Sequence, residues 1–191
     1  MVAVAIGGSI GLLAGGIGGR VEGALMRVVD VFLAIPSILL AIAIISLVGQ
    51  GAWQVVVAVG VGYAATYARI LRGSLVAVRE AEFVAAARSI GAPPSRLILR
   101  HMLPNALSPL VVASTLGVAT AVLDVAALGF LGLGAADPRI AEWGAMLSDS
   151  TELLRRAPYV LLAPGVAIVV SAIGFTLLGD GLREALDPRA R

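Results

Sequence analysis

EAEFVAAARSIGAPPSRLILRHMLPN, Glu80 to Asn105, is a polar island in a chain that is otherwise mostly apolar. Before the last third of the sequence it is the only long segment with enough charge to sit fully in water. Its punctuation predicts two short helices. Glu80 and Glu82 belong to a first turn, where the helix dipole favours negative charge. Gly91 stops the first helix near Ile90, and Pro93-Pro94 confirms the stop. Phe83, Ala87 and Ile90 recur at i, i+4 and i+7 and so share a face. The alanines at 85, 86 and 87 keep that helix slim enough to enter a groove. A second helix starts at Pro94, which suits the first helical position, and Pro104 stops or kinks it. Two short helices with a rigid bend between them predict a knuckle that projects from the apolar body. On composition alone a plainer reading is favoured: a loop whose arginines merely set orientation, or a helix lying in the lipid headgroup layer.

Outward from this island the chain alternates between long apolar runs and short polar links. Of its 191 residues, 59% are hydrophobic, and the mean hydropathy is +0.99. Soluble domains are about 45–50% apolar, so the fold class expected is an all-α polytopic membrane helix bundle. Five apolar segments are expected to span the membrane. Met1–Gly19 carries glycines at 7, 11, 15 and 19, a stripe on which another helix can close-pack. Arg20–Asp30 reads as a polar link, and Val31–Val48 as a span kinked at Pro36. Gly49-Gln50-Gly51 is a turn. The third span runs from Trp53 to about Ala68, with Tyr67 near the opposite interface. Ala106–Gly134 is the fourth and Pro158–Leu178, with Pro164 inside it, the fifth. Asp124 lies well inside the fourth span, where a carboxylate either lines a polar path or pairs with another helix.

The residues that are missing exclude several chemistries. The fourteen basic residues are all arginine, so there is no Walker A lysine and no Schiff base. With no cysteine and one histidine, no disulfide framework and no ordinary zinc site is expected. No cofactor, no metal and no nucleic-acid partner is expected. Gly7-Gly8-Ser9-Ile10-Gly11 matches G-x-S-x-G, and an intramembrane serine hydrolase using Ser9 and His101 is the different-class alternative. That motif needs a strand–turn–helix with a histidine nearby, and a glycine-rich membrane helix produces it by chance.

If the five segments alternate, eleven arginines fall on one side: 20, 27, 69, 72, 79, 88, 96, 100, 183, 189 and 191. Only Arg139, Arg155 and Arg156 fall on the other. The positive-inside rule makes the first side cytoplasmic. The knuckle and the C-terminus then face the cytoplasm, and the 135–157 loop faces outward. Arg183 and Asp187, at i and i+4, read as a solvated helix end.

The run E-A-x-x-x-x-A-A-x-x-x-G followed by L-P resembles the coupling loop of binding-protein-dependent ABC transporter permeases. The matching residues are Ala86, Ala87, Gly91, Leu103 and Pro104. Arg27-x-x-Asp30 before Ala34-Ile35-Pro36-Ser37, Tyr67-Ala68-Arg69-Ile70-Leu71-Arg72-Gly73, Trp143-Gly144-Ala145-Met146 and Gly179-Asp180-Gly181-Leu182-Arg183 extend the likeness over nearly the whole chain. They resemble the dipeptide/oligopeptide/nickel branch, second-subunit type. The resemblance implies one transmembrane permease domain, 1–191, of the type I importer kind. Its coupling loop at 80–104 would touch an ATPase subunit through Glu80, Phe83, Ala86, Ala87, Ile90, Gly91, Leu103 and Pro104. It implies a second permease subunit, two ATPase subunits, an extracytoplasmic substrate-binding protein, and a place in the lipid bilayer of the cell membrane. It also implies that the chain transports and has no ATPase site of its own. Short peptides are the expected substrate; nickel or another small solute is the alternative. The family usually has six spans, and the chain is read as lacking the first. It has Asp124, Gly129 and Glu142 where the family tends to have Glu, Ser and Ser.

Overall fold

The computed structural model describes residues 1–137 and 139–186, which form helices and connecting turns with no strand among them. α1 (Val2–Ile17) lies along α4 (Ala52–Arg79), and the glycine stripe explains why. A Cβ on Gly7 would stand 2.2 Å from the Ala64 carbonyl oxygen, and one on Gly11 would stand 2.6 Å from that of Ala68. One on Gly15 would stand 2.8 Å from the Leu75 Cβ. The two backbones therefore touch where side chains would hold them apart. Gly19 does not join this stripe; it lies past the break at Gly18 and faces open space.

The next stretch departs from the sequence expectation. Arg20–Asp30 is not a link but most of a helix, α2 (Gly19–Leu33). Val31–Val48 does bend at Pro36, as expected, but far more sharply than a kink. It is divided between the end of α2 and α3 (Ser37–Val48), whose axes differ by 88°. Pro36 is the cause, since it removes a backbone donor and its ring excludes the preceding helical turn. α2 is tied to α4 by two ion pairs, Asp30 with Arg69 and Glu22 with Arg72. The Arg72 Nε–H donates to Glu22 Oε1 at 2.7 Å.

α4 also outruns its expected end at Ala68 and continues to Arg79. Tyr67 is consequently mid-helix and 5% exposed, in the core rather than at an interface. Trp53, 69% exposed, sits in the first turn of α4, as an interfacial anchor would. α5 (Glu82–Ser89), α6 (Pro94–Arg96) and a π-helical turn (Leu97–Met102) lead into α7 (Leu103–Phe130). The 135–157 segment contains a short helix, α8 (Trp143–Ser150), packed between α7 and the last helix, α9 (Tyr159–Leu186). A Cβ on Gly144 would lie 2.1 Å from the Ala126 carbonyl oxygen, so α8 rests directly on the α7 backbone.

Three helical stretches, α4, Pro94–Phe130 and α9, are long and apolar enough to cross a membrane, and the α2–α3 pair makes a fourth if its bent course is one span. α1 is apolar but has 16 residues. At 1.5 Å per residue it reaches about 24 Å, short of a hydrocarbon core of about 30 Å. Exposed aliphatic side chains run along α9, among them Leu162, Val166, Val169, Val170, Ile173 and Leu177. Such a face suits lipid rather than water.

Candidate functional site

The knuckle is an elbow between the two long helices α4 and α7. α5 begins with Glu82, not Glu80; Glu80 caps the end of α4, and its carboxylate lies 3.8 Å from the Arg79 guanidinium. Beyond Ser89 the chain closes a Schellman motif. The Gly91 N–H donates to the Arg88 carbonyl at 3.0 Å, and the Ala92 N–H to the Ala87 carbonyl at 3.2 Å. Gly91 has φ +82°, the left-handed region that a side chain disfavours. Pro93 is extended and Pro94 opens α6, so the bend is set by backbone chemistry on both sides.

Pro104 does not stop the helix that follows. Pro94 to Phe130 is one 37-residue helical stretch. In a regular α-helix the Pro104 ring would strike the carbonyl of Arg100, four residues back. The turn over 97–102 is instead widened to π geometry, and the Leu103 N–H bonds the carbonyl of Ile98, five residues back. Leu103 and Pro104 thus sit where the elbow becomes a membrane span.

The faces of α5 decide which of its residues are available to a partner. Val84 is fully buried and Ala87 is 9% exposed. Val84 joins a cluster with Leu71 and Leu75 of α4, Met102 of the π turn, and Ala106 and Leu110 of α7. The outer face carries Phe83 at 45% exposure, Ala86, and Ile90 at 86%. The predicted stripe of Phe83, Ala87 and Ile90 is therefore split: Ala87 points into the bundle while the other two point out. Val84, which is not among the residues expected from the sequence to matter here, is what fastens the helix down. A partly hydrophobic i, i+3 pair, Val84 and Ala87, was its available signal.

Above the elbow, α1, α4, α7 and α9 surround a cavity of about 510 Å³, walled by Tyr63, Tyr67, Ser114, Thr115, Val118 and Phe175 among others. A second cavity of about 360 Å³ lies between α7 and residues 141–144, which lead into the first turn of α8. Val118, Ala121 and Val125 of α7 line both. At the end of α7 away from the elbow the Glu142 Oε1 accepts the Ala135 N–H at 3.0 Å and holds the loop closed on itself. Nearby, the Arg139 guanidinium donates twice to Asp137 at 3.0 Å and holds that carboxyl below its ordinary value. Asp124 accepts a hydrogen bond from the Tyr63 hydroxyl at 2.8 Å, and Tyr63 stacks on Tyr67 with ring centres 6.5 Å apart.

Ser9 sits inside α1 with its hydroxyl donated to the Ala5 carbonyl at 2.7 Å, and not on a strand-to-helix turn. That is the geometry of a serine in a helix, not of a nucleophile elbow. Asp187, the partner expected for Arg183, and the arginines at 189 and 191 lie outside the described residues.

Comparison with known proteins bears on what this arrangement belongs to. Over 189 residues, 99% of its length, the chain is 43% identical to the dipeptide transport system permease protein DppC of Alkalihalophilus pseudofirmus. It is 41% identical over 182 residues to the di/tripeptide permease DppC of Pseudomonas aeruginosa. It is 40% identical over 191 residues to the glutathione permease GsiD of Pectobacterium atrosepticum. It spans 62%, 60% and 63% of those relatives, respectively. Its fold is similar to a chain of the MetNI methionine ABC transporter, with a TM-score of 0.78 and 23% identity, covering 97% of this chain and 88% of that one. The family model of binding-protein-dependent transport system inner membrane components matches residues 7–191, and the chain is a multi-pass membrane protein belonging to that family.

Proposed function

We propose that the chain is a permease subunit of an ABC importer for short peptides, moved by ATPase subunits that grip the elbow. The observation that carries this is the outward face of α5. Phe83, Ala86 and Ile90 form an apolar surface on a slim helix, clear of the bundle and braced between two membrane helices. A large apolar residue at 86% exposure is unfavourable in water and suits a groove on a partner. The excess of arginine on the elbow side supports a cytoplasmic position for α5 and the C-terminus. An ATPase pair would then act from the cytoplasm and a binding protein would deliver solute to the 135–157 side, with a second permease subunit completing the pathway.

The two cavities along α7 are the proposed path on this subunit. Aliphatic and small side chains wall most of it, with hydroxyls at Tyr63, Tyr67, Ser114 and Thr115. Such a lining slides past varied side chains while offering a few hydrogen bonds to a peptide backbone. The peptide reading draws on the DppC relatives. Glutathione, named for the GsiD relative, is a small peptide-like solute and the second reading. Nickel or another small solute is a third; among the described lining residues Glu142 is the one carboxylate, with no histidine beside it.

The test is coupling in the assembled transporter. Ala86→Asp is expected to leave the subunit in the membrane and to abolish most ATP-driven uptake, because it places a charge in the proposed grip. Wild-type uptake by that variant would sink the proposal.

A further inference from the structure

We infer that the Tyr63–Asp124 hydrogen bond is a latch that makes α4 and α7 move as one arm, an inference that rests on the elbow being where force enters. α4 runs into the elbow and α7 runs out of it. Near the elbow they are joined by the apolar cluster around Val84 and Met102. Asp124 lies 21 residues beyond Leu103, about 31 Å along α7 from the start of that helix. Apolar packing is interrupted on the way, because the larger cavity takes up the space beside Tyr63, Tyr67, Gly117 and Val118. Past the cavity the helices meet again, where Leu128 of α7 joins Val55, Ala58 and Val59 of α4 in one buried apolar cluster; such non-directional contacts hold the far ends together but let one helix slide and turn against the other.

Two contacts oppose that slip. The Tyr67 hydroxyl fills the place of a missing side chain on α7: a Cβ on Gly117 would lie 2.0 Å from it. One turn of α4 further from the elbow, the Tyr63 hydroxyl donates to Asp124 Oδ2 at 2.8 Å. The stacked rings place both hydroxyls on one side of α4. A hydrogen bond to a carboxylate is directional and strong where water is scarce, so it fixes rotation and height as apolar contacts do not. Among the described residues no arginine forms an ion pair with Asp124. A carboxylate costly to hold inside a span is thus given over to a single partner on the opposite helix. Tyr63 and Asp124 are positioning residues in this scheme, acting on the solute only through the helices they join.

The experiment uses the full transporter, with its ATPases and binding protein, in proteoliposomes. Solute delivered per ATP hydrolysed is measured, and assembly is scored by co-purification. Tyr63→Phe and Asp124→Leu are each expected to lower the ratio about tenfold in assembled complexes, and the double variant no further. Asp124→Asn keeps a carbonyl oxygen to accept the Tyr63 proton and is expected to stay within about threefold of the parent. The latch is overturned if Tyr63→Phe keeps the parental ratio, or if Asp124→Asn is as defective as Asp124→Leu, which would assign the carboxylate's charge to the solute or an ion. Gly91→Val separates the two levels of inference. If it uncouples and Tyr63→Phe does not, only the latch fails; if neither does, the elbow reading fails with it.

Discussion

Gly91 and Ala86 carry the sharpest consequences of any single positions. Gly91 holds φ +82°, and a β-branched residue there costs about 1–2 kcal/mol of local strain. Gly91→Val is expected to loosen the Schellman cap and lower uptake per ATP; Gly91→Asn, which tolerates the left-handed region, is expected to recover much of it. Ala86 and Ala87 look equivalent in the sequence but face opposite ways. Ala86→Asp is expected to spare folding, whereas Ala87→Asp drives a charge toward Val84 and is expected to cut the amount of folded protein in detergent. Measuring yield beside uptake tells the two apart. At Asp137 the paired Arg139 lowers the carboxyl pKa, so the clasp is present above the unfolded-state pKa and is lost as pH falls through the folded one. Limited proteolysis of the 135–157 segment is expected to be unchanged from pH 7 to pH 5 and to quicken only in stronger acid.

Between helices, the two ion pairs of α2 with α4 are unequal. The Glu22 side chain is 15% exposed and that of Asp30 is 58%. Arg72→Gln strips the partner from a sheltered carboxylate and is expected to cost about 1–3 kcal/mol, seen as a lower melting temperature in detergent. Arg69→Gln breaks a solvated pair and is expected to cost about 0–1 kcal/mol. The α1–α4 contact is less forgiving. Gly11→Leu has no room beside the Ala68 carbonyl, and the helices must separate for it to fit. Neither ion pair could be seen in the sequence, since 50 residues separate Glu22 from Arg72 and 39 separate Asp30 from Arg69. The glycine stripe could be seen, because close packing requires small residues at one helical spacing whichever helix arrives.

Across the molecule, orientation is the property that decides between force entry and mere surface. The chain has no cysteine, so single cysteines report position cleanly. Ile90→Cys at the elbow and Leu154→Cys beyond α8 are both at exposed sites. A membrane-impermeant maleimide applied to intact cells is expected to label the second and, only after the membrane is opened, the first. The reverse pattern would invert the molecule and end the coupling proposal.

The sequence by itself determined that this is a helical membrane protein, where its polar elbow lies, and that a glycine stripe on α1 invites a close-packed helix, though not that α4 is that helix or that Gly19 falls outside the stripe. Those properties follow from local composition and spacing: apolar runs need lipid, Gly91 with Pro93-Pro94 needs a bend, and small residues four apart need a close neighbour. Only the tertiary structure decided that α2 folds back at 88° to α3, that Pro104 is absorbed by a π turn, and that Ala87 faces in while Ala86 faces out. It also decided that Asp124 meets Tyr63. Each of these depends on which distant residue occupies the adjoining space, and a one-dimensional pattern holds no record of that.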